Sequence, residues 1–147
     1  MELYPGMPGN KLQRLMMKKM VIFAVIVIIA AGYLIGDSIK VSNFIETWSI
    51  DNLKEPNLET ASYLNIRYMD MIGNFDRTLE LIEKFKKRYD GKSAKIPELV
   101  FMSAIIYGKK IQPAQARDTL KMYIETYPEQ KNIEEAKRLL SDYKTSF

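Results

Sequence analysis

Neither cysteine nor histidine occurs among the 147 residues of this chain. Their absence excludes disulfides, Cys/His zinc sites, thiol nucleophiles, haem ligation by those side chains and a Ser-His-Asp triad. Hydrolytic or redox chemistry would have to rest on carboxylates, lysine or tyrosine. A glycine-rich phosphate loop is missing, as is an acidic loop with calcium spacing. Close acid pairs are few. Glu125 with Glu129, and Glu134 with Glu135, read as surface charges, without the convergent pocket that glycosidase-type catalysis needs. The expectation is a chain that is no enzyme and holds no cofactor or metal.

An excess of one charge is also missing over most of the chain. The net charge is +4, but Lys11, Arg14, Lys18 and Lys19 against Glu2 put +3 of it in residues 1–19, leaving +1 for residues 20–147. The basic balance is therefore a property of a short tail, and a nucleic-acid-binding body is not indicated. A second basic cluster, Lys84, Lys86, Lys87, Arg88, Lys92 and Lys95 offset by Asp90, is local. It reads first as a solvated face whose cations complement a helix C-terminus, and second as a surface for anionic lipid or an acidic partner.

Charge is absent altogether from Met20 to Gly36, seventeen residues of which ten are Val, Ile, Leu or Phe. Such a run favours bilayer insertion by roughly 3–6 kcal/mol and spans about 25 Å as helix. Leu15, Met16 and Met17 supply a further turn if Lys18 and Lys19 reach to the headgroups. A core helix of a globular fold would normally keep a polar face. A signal peptide would normally be shorter, since the apolar run continues past Ala30-Ala31-Gly32 through Ile35. The expectation is one N-terminal transmembrane helix. The basic flank places the N-terminus in the cytoplasm and the C-terminal part outside, in a single-pass protein of the inner (plasma) membrane. Gly32 and Gly36 form a G-x-x-x-G spacing and are candidates for membrane-helix packing.

The expected organisation is a cytoplasmic basic tail (1–19), the membrane helix (20–36), an amphipathic extension and linker (37–57) and a helical domain (58–147). Val41, Phe44, Ile45 and Trp48 recur at helical spacing, predicting that the membrane helix runs on to about Ser49. The Pro/Gly-containing tail 1–10 is expected to be extended, and to be ordered only by a partner. Beyond residue 57 helical periodicity is continuous, with helices predicted near 58–72, 75–89, 97–110, 113–126 and 132–144. Asn74 suits an N-cap, and Pro97 and Pro113 suit first-turn positions. The fold class is all-α: a membrane helix followed by small antiparallel helical hairpins.

Residues 97–130 resemble a tetratricopeptide repeat. Ala104, Tyr107, Ala116, Leu120 and Pro128 stand at its small, aromatic, small, large apolar and helix-ending positions. Residues 59–92 resemble it more loosely, with Thr78 in place of alanine and Asp90 in place of proline. The ending Tyr127-Pro128-Glu129-Gln130, with Ala136 and Leu139-Leu140, is similar to repeats of bacterial envelope proteins. Among these are periplasmic assembly factors and the N-anchored ancillary subunit of the bacterial translocon. The resemblance implies a groove lined by Tyr63, Arg67 and Asp70 of one repeat and Phe101, Ile105 and Lys109 of the next. It also implies partners that are other membrane or envelope proteins, with the lipid bilayer, and neither nucleic acid nor a small-molecule substrate. The expected function is a membrane-anchored helical-repeat scaffold assisting an inner-membrane or envelope complex. The alternative is a structural accessory subunit of a large respiratory, photosynthetic or transport complex, held by its helix and tail.

Overall fold

The structure, a computed structural model, describes residues 11–145, apart from the side chains of 11–15, 18, 31–35, 144 and 145. Seven helices and no strand occur among them: α1 (Lys11–Ile35), α2 (Ser38–Asn52), α3 (Asn57–Met71), α4 (Phe75–Tyr89), α5 (Ile96–Lys109), α6 (Pro113–Thr126) and α7 (Ile133–Thr145). The last five begin and end within one residue of the periodicity prediction. The chain divides into two compact units, the first ending at Ile72 and the second beginning at Gly73.

In the first unit α1, α2 and α3 pack against one another pairwise. This corrects the reading of residues 20–36. Among the described residues no helix is long and apolar enough to cross a membrane, so the expected transmembrane helix, and the single-pass membrane architecture built on it, is not shown. Two local features go with the correction. Val21 and Val25 are buried on one face of α1, which packs with α2 and α3. Gly36, at φ +74, then ends the helix where the sequence reading ran it straight on. The left-handed conformation suits a residue without a Cβ and stops the i→i−4 ladder. Asp37 restarts it, its Oδ1 accepting from the Lys40 backbone N–H at 3.0 Å. That bond, with the Lys40 ammonium 3.0 Å from Oδ2, holds the Asp37 carboxyl below its usual range.

On α2 the buried face is Val41, Ser42, Ile45 and Ser49. The predicted apolar stripe is thus turned: Phe44 is 55% exposed and Trp48 half-buried. Two small polar residues, Ser42 and Ser49, share that face with Val41 and Ile45. Asn65, buried, donates from Nδ2 to the Ser42 carbonyl at 3.0 Å. Around it Ala61, Ile66, Tyr68 and Met69 supply the apolar part of the α3 face.

In the second unit each helix packs on the next from α4 to α7. Asn74 caps α4 by accepting from the Arg77 backbone N–H at 3.3 Å, and Thr78 Oγ1 donates to the Asn74 carbonyl at 2.8 Å. Thr78, Leu81, Ile82, Phe85 and Tyr89 form its buried stripe at helical spacing. Pro97 and Pro113 stand in the first turns of α5 and α6. Leu99, Val100, Ala104 and Ile106 of α5 share the core with Ala116, Leu120 and Tyr123 of α6 and Ala136 of α7.

Candidate functional site

The six groove residues fall three to each unit. Tyr63, Arg67 and Asp70 recur on one face of α3 by spacing, Arg67 exposed and the other two half-buried. Phe101, Ile105 and Lys109 do the same on α5, Lys109 exposed and the first two half-buried. On α5 two of the three have work inside their own unit. The Phe101 ring lies 5.3 Å from that of Tyr123, tilted by 41°, and Tyr123 lies 5.7 Å from Tyr127. Tilted aromatic pairs at such distances add about 0.5–1.5 kcal/mol beyond their buried area. Burial pushes the Tyr123 hydroxyl above its ordinary range.

Lys109 belongs to a corner where the end of α5 meets the start of α4. Its ammonium stands 5.2 Å from the centre of the Phe75 ring, and the neighbouring Lys110 ion-pairs with Asp76. Cations at a helix C-terminus and a carboxylate at a helix N-terminus each also suit the dipole of their own helix. Ile105 is left as the α5 groove candidate with no such contact, and it is half-buried.

The basic cluster is less concentrated than its sequence count. Lys84 pairs with Glu80 at 3.0 Å and Lys86 with Glu83 at 2.8 Å. Arg77 reaches the same Glu80 carboxylate at 2.6 Å, and Arg77 before Lys84 holds that carboxyl below its usual range. Counting only Asp90 as offset overlooked acids one turn back along the same helix. The acid pair on α7 is also neutralised locally. Glu134 meets Lys137 at 2.8 Å, and Glu135 meets Arg138 at 2.9 Å, which lowers the Glu135 carboxyl. Among the described residues no group of three or more acidic side chains is placed to hold a metal ion.

Gly32 lies within α1, and its surroundings are outside the described residues, as is the whole tail 1–10. Gly36 is a turn residue: a methyl group built on it would meet nothing within 4 Å.

Residue-level reading of the sequence missed the outer face of α1. Met16, Met20, Phe23, Ile26 and Val27 are all about half or more exposed, Met20 and Phe23 at 69%. Met16, Met20, Phe23, Val27 and Ala30 follow one another at steps of four, three, four and three, which places them on one stripe opposite Val21 and Val25. The signal was present in the sequence. A run that is apolar on every side needs cover on every side, and the first unit covers one face only.

No protein-family model, curated protein or solved structure matches this chain.

Proposed function

We propose that the chain is a helical-repeat scaffold: a protein-interaction subunit that assists the assembly or stability of a larger complex and performs no catalysis. The observation that carries the reading is the α5–α6 pair. Ala104 and Ala116, at the small positions of the tetratricopeptide pattern, are 1% and 0% exposed. Leu120, at its large apolar position, is fully buried. Small residues there let two antiparallel helices cross closely, the requirement from which stacked hairpins derive their concave faces. The envelope-type ending after α6 supports a complex of the bacterial envelope.

Co-purification of the tagged full chain in mild detergent, with identification of what accompanies it, tests this. Ile105→Glu and Arg67→Glu should each deplete the same partner by about tenfold while leaving helical content unchanged. A partner set untouched by both would refute the scaffold reading. One observation favours a second reading, an accessory subunit whose first helix is the working part: the uncovered apolar stripe of α1. In that case the partner is lost when residues 1–36 are exchanged for an unrelated helical segment and is indifferent to Ile105 and Arg67.

A further inference from the structure

We infer that the outer stripe of α1 is a docking face for an anionic lipid surface, on which the first unit lies without crossing it. This goes beyond the scaffold reading and does not depend on it. From Met20 to Ala30 the sequence holds no polar or charged side chain, and the stripe from Met16 to Ala30 is about 21 Å long as helix. Protein interfaces surround an apolar centre with a polar rim that carries hydrogen bonds. Among the described side chains from Met16 to Ala30 the only charged one is the exposed Lys19, near the N-terminal end.

Charge distinguishes the possible occupants. Lys11 and Arg14 precede the stripe, Lys18 and Lys19 fall in its first turn, and no acid occurs anywhere in α1. A second copy laid parallel on α1 would set these cations against their own kind. Laid antiparallel, it would offer them no carboxylate. A bilayer with anionic headgroups meets both ends of the pattern: acyl chains along Met20, Phe23 and Val27, and phosphates at the basic end.

The test uses the purified full chain, exchanged from detergent into vesicles of phosphatidylcholine alone or mixed with phosphatidylglycerol, and separated by flotation. The chain should float with the mixed vesicles, do so several-fold less with phosphatidylcholine alone, and be released by an alkaline carbonate wash. Phe23→Asp with Val27→Asp should weaken binding by at least about tenfold, since each removes an apolar group from cover. Both positions are exposed in the unit, so circular dichroism should not change; should it change, Phe23→Ser alone carries the comparison. Lys18→Gln with Lys19→Gln should reduce the preference for anionic vesicles by roughly tenfold. Absence of flotation, equal binding to neutral vesicles, or undiminished binding of the aspartate variant would overturn the proposal. So would retention after carbonate, or a stable dimer dispersed by the aspartate substitutions, which would make a second copy the cover.

Discussion

A methyl group on Gly108 would stand 1.9 Å from the Tyr143 hydroxyl oxygen, so the tip of an α7 side chain rests where α5 has only backbone. Two effects then oppose each other in Gly108→Ala. Alanine is favoured in a helix interior by about 1 kcal/mol, but the ring must swing away. The substitution should therefore bring no gain in the native background, yet stabilise by about 1 kcal/mol when made on Tyr143→Ala. Urea midpoints of the four proteins close the cycle; additivity would mean the two positions do not meet. A second residue is held at a cost. Ile111 has φ +56 and is 86% exposed, in the turn between α5 and α6. The corresponding turn between α3 and α4 uses Gly73, at φ +75. A β-branched side chain in the left-handed region loses roughly 1–2 kcal/mol, so Ile111→Gly should raise stability by about 1 kcal/mol. An unchanged or lower urea midpoint would show that the side chain is contributing to the fold.

At the scale of elements, the break between α1 and α2 is the sharpest departure from the sequence reading. Gly36 was legible as a membrane glycine, and Asp37 as the first charge after an apolar run. Together they are a helix stop followed by a helix start, and neither signal is visible to a count of apolar residues. Gly36→Ala should cost about 1 kcal/mol through the left-handed backbone alone, checked by thermal unfolding; a cost near zero would mean that the turn relaxes. The helices from α3 to α7 were legible to within a residue from their periodicity, and Asn74, Pro97 and Pro113 mark the starts of α4, α5 and α6 chemically. The rotation of α2 was not. Serine reads as polar in any periodicity, yet Ser42 is buried and Phe44 is not, and the Asn65 side chain on the facing helix bonds the Ser42 backbone carbonyl, a contact that no pattern of side-chain polarity reveals. The candidate groove residues came from the repeat resemblance, and the use of Phe101 and Lys109 by their own unit was not legible, because it depends on contacts with Tyr123 and Phe75.

For the whole molecule, the missing histidine and cysteine have a titration consequence. No side chain of this sequence ordinarily titrates between about pH 5 and 9, so stability should be nearly flat across that interval. Both limits have named groups. The Asp37, Glu80 and Glu135 carboxyls are lowered by their cationic or backbone donors. Their contribution is present above the unfolded carboxylate values and lost as pH falls through the folded ones. The Tyr68 and Tyr123 hydroxyls are raised by burial. The folded state keeps those protons longer, so stability is intact below the unfolded value of about 10 and falls as pH rises through the folded values. Denaturant midpoints measured across pH check the plateau, and Tyr123→Phe should soften the alkaline limb while leaving the acid limb in place. A midpoint that drifts steadily between pH 5 and 9 would contradict this assignment.

Trp48 is the sole tryptophan of the chain, and it stands half-buried on α2, within the first unit. The ring file of Phe101, Tyr123 and Tyr127 lies wholly in the second. Emission excited at the red edge of the indole band therefore reports on the first unit alone, whereas tyrosines are shared between the units, with Tyr63 and Tyr68 on α3. The native chain thus comes with its own optical reporter of α1–α3, and no label has to be attached to learn whether that unit responds to denaturant, vesicle or partner.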